Sequence, residues 1–168
     1  MGELVSRWGF GEVLETQKLY GGFSGSNYRV KDKEGKQAVL KVCHSYALDE
    51  ACEQAAMVGH LGECQFPAAC TAIPLLSQNV PDGTSPFVTC TPSSGEPAIL
   101  LSYCKGRAAD AVIESGVDAH TVLRGVGIHL ARLHKVRQQL KFDVLYTQNV
   151  ILQSISIQHA LDDFSKGH

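Results

Sequence analysis

The sequence predicts an α+β fold, with a mainly antiparallel β front part holding one inserted helix and a rear part of helices only. Three features predict it. Up to Cys43 the chain runs in short apolar-rich segments broken by turn residues. Between Tyr46 and Cys64 apolar residues recur at three- and four-residue steps. Beyond Gly106 the strand-like segments stop.

The elements follow in order. Residues 12 to 20 and 26 to 32 read as strands, joined by the Gly/Ser-rich link Gly21 to Asn27. A turn at Gly35, free to take positive φ, leads to the compact strand Gln37 to Cys43. These three form an antiparallel meander. Ala47, Ala51, Ala55, Val58 and Leu61 then mark an amphipathic helix, with Asp49 and Glu50 suited to its first turn. Phe66-Pro67 breaks it. Residues 70 to 76, 86 to 91 and 97 to 104 read as further strands, connected through the turn-rich "VPDGTSP" and "PSSGEP". A helix follows from Val117 to about Leu140, with Leu123, Val126, Leu130 and Leu133 as its apolar stripe. A last helix is predicted from about Val150 to Phe164.

With 168 residues, the chain has room for one domain with a real core. A formal charge of −2, 44% apolar and 19% charged residues describe an ordinary globular protein. No basic excess points to nucleic acid, and no polybasic or long apolar run points to a membrane. The N-terminus lacks a secretory apolar core and matches only the loose Gly2/Ser6 myristoylation pattern. Six cysteines occur without a C-x-x-C pair, so they read as reduced, mostly buried thiols of a cytoplasmic protein.

Four features then combine. The first is the glycine-rich link between strands one and two. The second is Lys41, alone in the apolar run "AVLKV". Burying an ammonium is costly unless something anionic meets it. The third is the next helix, where Glu50, Glu53, Met57 and His60 share a stripe, so that either glutamate can reach back to Lys41. A lysine held this way can bind the α- and β-phosphates of a nucleotide, under a loop that offers backbone N–H groups. The fourth is "AILLSYCKG", Ala98 to Gly106, a buried strand ending in an extended segment able to pair with an adenine edge. Each feature alone is ordinary, but their ordered set points to a nucleotide site.

Ser26-Asn27-Tyr28, Val39-Leu40-Lys41, Phe66-Pro67, Ser102 to Gly106 and Gly127 to His134 together resemble the aminoglycoside phosphotransferase-like superfamily, most nearly its homoserine kinase and hydroxylysine kinase branches. The resemblance covers roughly residues 10 to 138. It implies a protein-kinase-like nucleotide-binding lobe over 1–104 and a partial helical lobe over 105–168. It also implies ATP-dependent transfer of a γ-phosphoryl group, with Mg2+, to a hydroxyl of a small amine or amino acid. Under it, Lys41 binds the phosphates with Glu53 as partner. Gly21, Gly22, Ser24, Gly25, Ser26 and Asn27 cover them, and Ser102 and Cys104 offer backbone contacts to adenine. His134 is structural, packed or capping its helix.

The family's H-G-D-x-x-x-x-N motif and later metal-binding aspartate do not occur in the sequence. Asp162-Asp163 has no such frame and reads as a solvated acidic face. The expectation is therefore the front part of a kinase, ending before the catalytic loop, with no catalytic residue and no metal ligand of its own. The alternative is a pseudokinase-like module that binds a nucleotide or a partner, and the Leu123 stripe is a surface for self-association.

Overall fold

A computed structural model describes residues 1–20, 25–64, 66, 70–80, 85–106 and 109–138. The fold is α+β, with a five-stranded antiparallel sheet followed by helices. The elements are α1 (Gly2–Ser6), β1 (Val13–Leu19), β2 (Ser26–Asp32), β3 (Gln37–Val42), α2 (Leu48–Glu63), β4 (Val88–Cys90), β5 (Pro97–Ser102), α3 (Ala109–Glu114) and α4 (Ala119–Gln138). The sheet order is β1-β2-β3-β5-β4. The predicted meander is present, and β5 adds along the far edge of β3. The stretch 70–76, expected as a strand, makes only an isolated bridge, Ala72 to Leu101. The expected helix over 150–164 lies outside the described residues.

The chain divides into two compact units, residues 1–60 with 71–103 and residues 61–70 with 104–168. In the first unit the sheet has two distinct faces, because side chains alternate along each strand. Tyr28, Leu40 and Leu100 lie opposite one another on one face, and Val30 and Ala38 form the neighbouring pair. This roof face is covered by Leu4, Val5, Trp8 and Phe10 from α1 and the turn after it, with Leu75. The cover is fastened at its edges. Arg7 donates to Thr89 Oγ1 at 2.8 Å, Trp8 Nε1 donates to the Phe87 carbonyl at 3.3 Å, and Leu76 N donates to the Arg7 carbonyl at 2.9 Å.

The β2–β3 turn is built as the sequence suggests. Gly35 has φ 85°. Asp32, buried, accepts from Glu34 N at 3.0 Å and from Lys36 N at 2.8 Å. Those bonds satisfy donors that the tight turn would leave unpaired.

In the second unit Asp118 caps α4. Its Oδ2 accepts from Thr121 N at 2.8 Å and from Thr121 Oγ1 at 3.0 Å. These bonds hold its carboxyl below the usual carboxylate range. The face of α4 that is buried carries Val122, His129 and Leu133, with His129 edge-on to Phe66 at 6.3 Å. The predicted stripe is thus rotated. Leu123, expected at its head, is 65% exposed, and Val122 takes that place. His129 sits on the stripe as a polar residue that an apolar count passes over. His134, expected to pack or to cap, is exposed and lies within α4, short of its end. Among the described residues no helix is long and apolar enough to cross a membrane.

Candidate nucleotide site

The face of the sheet opposite the roof carries the site. Its central row runs Leu19, Asn27, Lys41, Ile99, Val88, each facing the next across neighbouring strands. The next row is Gln17, Arg29, Val39, Leu101. Lys41 therefore sits mid-sheet with Asn27 directly beside it. The alternation that sends Leu40 and Val42 into the roof core sends Lys41 the other way.

Lys41 is 7% exposed. Its ammonium donates to Gln54 Oε1 at 2.8 Å and stands 5.4 Å from the centre of the Tyr46 ring. Gln54 is itself buried, and its amide nitrogen lies 3.5 Å from Tyr46 Oη. The amide orientation follows from chemistry, since an ammonium can only donate and so must meet the oxygen.

This corrects the expected pairing with Glu53. Glu53 is exposed on α2, and Glu50 turns to the start of its own helix, where it accepts from Ala47 N at 2.9 Å. The reason is helical phase. Ala51, Gln54, Ala55 and Val58 share the buried face, and residue 53 is one step of about 100° away from residue 54. The alanine stripe already fixed that phase in the sequence. Gln54 lies on it, three residues after Ala51 and four before Val58.

Among the described residues no carboxylate lies within ion-pair distance of Lys41. The site thus holds a buried ammonium with a neutral hydrogen-bond partner and an aromatic face. A neutral amide satisfies one N–H and leaves the charge uncancelled.

The glycine-rich link is described from Gly25 onward, so Gly21, Gly22 and Ser24 lie outside the described residues. A Cβ on Gly25 would sit 2.2 Å from the Val42 carbonyl oxygen, so only glycine fits there. Ser26 turns its hydroxyl to the roof face, where it lies 2.8 Å from His44 Nε2. Its side chain is therefore directed away from Lys41. Asn27, one residue on, faces the Lys41 side.

At the other end of the sheet, Ser102 is tied to Thr71. Ser102 N donates to the Thr71 carbonyl at 2.8 Å, and Thr71 N donates to Ser102 Oγ at 2.8 Å. The Ser102 N–H is thus used inside the protein, and only its carbonyl is left to consider for a ligand. Tyr103 follows, with the Arg29 guanidinium 5.9 Å from its ring centre. Arg29 also pairs with Glu15 at 2.8 Å. Bonding to Tyr103, then to Glu15, holds the guanidinium all the more firmly protonated. Cys104 lies in the second unit. Its thiol is hydrogen-bonded to Cys70 and partly buried, and both effects hold its proton on. The expectation of mostly buried cysteines is corrected: Cys43 is buried, Cys64 is exposed, and the other four are partly exposed.

A concavity of about 420 Å3 opens on the roof face, lined in part by Tyr28, Leu40, Val42, His44 and Glu96. It is on the wrong side of the sheet to contain Lys41.

The model of the phosphotransferase enzyme family (APH) matches residues 15–150. The chain belongs to this family. The match runs through β1 to α4, so every element that places Lys41 falls inside it. No curated protein matches the chain at a meaningful level. Among the contacts made on and beside this sheet, sequence reasoning missed those of Gln54, Tyr46, Arg29 and His44. Gln54 had a signal in its position on the alanine stripe; His44 had none, because its partners are distant in sequence.

Proposed function

We propose that this chain is the ATP-binding part of a small-molecule kinase and that it binds the nucleotide's phosphates at Lys41. The single observation that carries the reading is the buried ammonium of Lys41, which no carboxylate among the described residues cancels, on a sheet face that also presents Asn27. At about 4 Å and an effective dielectric of about 20, one phosphate charge is worth roughly 4 kcal/mol to that ammonium. A neutral partner leaves this attraction undiminished.

In this reading Lys41 holds the α- and β-phosphates and Asn27 donates beside it. The backbone at Gly25 and Ser26 adjoins the phosphates. The Ser102 carbonyl offers an adenine contact. Among the described residues no three His, Cys, Asp or Glu side chains are grouped to hold a metal ion. The phosphoryl acceptor is a small-molecule hydroxyl, such as that of an amino acid or amino alcohol of the homoserine kind. With no H-G-D-x-x-x-x-N motif in its 168 residues, the chain binds without turning over.

The test is calorimetric titration with ATP and ADP, beside a coupled ADP-release assay with homoserine, hydroxylysine and an aminoglycoside. Binding without turnover is the expected result. No binding at millimolar nucleotide overturns the site, and turnover overturns the view that the chain only binds.

A further inference from the structure

We propose that His44 is a positioning residue of this site, a tether that holds the start of β2 so that Asn27 stands beside Lys41. The proposal rests on the nucleotide reading above. His44 lies on the roof face, two residues beyond Val42. Its two ring nitrogens are both engaged, Nδ1 with Glu96 Oε1 at 2.6 Å and Nε2 with Ser26 Oγ at 2.8 Å. A carboxylate only accepts, so Nδ1 donates to Glu96, and Nε2 shares a hydrogen bond with the Ser26 hydroxyl, which can donate or accept.

The carboxylate is itself held. Ser94 Oγ donates to Glu96 Oε2 at 2.6 Å, and Thr91 Oγ1 lies 2.6 Å from Ser94 Oγ. Glu96 N donates to Thr91 Oγ1 at 3.1 Å. The chain Thr91, Ser94, Glu96, His44, Ser26 therefore runs from the β4–β5 turn to the first residue of β2. Gly25 lies flat against the Val42 carbonyl, and Ser26 and Asn27 pair with Val42 and Lys41. Consecutive residues thus fix the same strand end, one by close backbone approach and one through His44. Asn27 is next in line, on the opposite face.

This tether adds little to overall stability. The His44 and Glu96 side chains are 45% and 32% exposed, and such pairs contribute little to folding. What they fix is local, namely the placement of Ser26 and Asn27 at the start of β2.

The experiment uses the 168-residue chain with His44→Ala, Ser26→Ala, the double variant and His44→Gln, each titrated with ADP and with adenosine. ADP affinity is expected to fall about fivefold in either single variant, the size of one hydrogen bond. The double variant falls no further, and His44→Gln recovers part of the loss. Adenosine affinity and the thermal midpoint stay where they are, because the tether acts on the phosphate end. Equal losses for adenosine and ADP, or additive losses in the double variant, overturn the proposal. If the wild-type chain binds no ADP, the nucleotide reading falls. Amide exchange at Ser26 and Asn27 then decides the tether: faster exchange in His44→Ala supports it, and unchanged exchange overturns it.

Discussion

Replacing Lys41 by methionine separates a ligand-binding lysine from a structural one, because the two roles move stability and affinity differently. In the wild type the ammonium is 7% exposed and bonded at 2.8 Å to a neutral amide. Methionine has a similar volume and no charge to desolvate. The substitution gives up one charged hydrogen bond, worth about 1.5–3 kcal/mol, and removes a desolvation cost of several kcal/mol. The unfolding free energy is therefore expected to hold or rise slightly. Affinity for ADP moves the other way. Losing an ammonium about 4 Å from a phosphate costs ~2–4 kcal/mol after competition from water, or ~30-fold to ~700-fold in Kd. Urea unfolding and calorimetric titration on the same two proteins measure both quantities. A Lys41→Met protein destabilised by several kcal/mol with unchanged ADP affinity would refute the reasoning and make Lys41 a structural residue.

Other substitutions follow from the same geometry. Gln54→Glu places a carboxylate on the Lys41 ammonium and cancels its charge, so ADP binds more weakly while the fold survives, as titration beside a melting curve will show. Gly25→Ala drives a methyl into the Val42 carbonyl and costs about 1–3 kcal/mol in urea unfolding, unless the β2 start moves away. Asp32→Ala leaves two turn N–H groups without their acceptor and costs about 1–3 kcal/mol in the same assay. Acid titration adds a further check. Glu96 sits below its ordinary range through Ser94 and then His44, and Asp118 through Thr121. Both groups hold more tightly to the folded state when ionised. Their stabilisation is present above the ordinary carboxylate range and is lost as pH falls through their folded values. Asp118→Asn and Glu96→Gln should each flatten the acid limb of the stability curve.

Much of the sheet was legible in the sequence, because turn residues and apolar alternation are local signals. Lys41 stood out as the one charge in an apolar run, and its side of the sheet follows from period-two alternation. The partner was not legible as an acid. Charge complementarity pointed to a glutamate, whereas packing of the small alanines set the helix phase and brought Gln54 to the ammonium. The roof was also missed. The five residues of α1 are too few to show a period, and Trp8 and Phe10 find their partners far along the chain. His44 belongs to the same class, with contacts 18 and 52 residues away. Residues 70 to 76 have strand composition, yet they lie beside only the last part of β5 and form one bridge.

The two faces of β3 set a rule for how this chain tolerates change in length. Ala38, Leu40 and Val42 belong to the core, and Lys41 between them belongs to the opposite face, with Gln54. Deleting or inserting one residue inside the strand exchanges the two sets, driving a cation into the apolar roof core and setting the core's valine and leucine against the polar groups of Gln54 and Tyr46. The hairpin at Gly35, six residues upstream and anchored by its own aspartate, is where extra residues can be taken up without cost to either face.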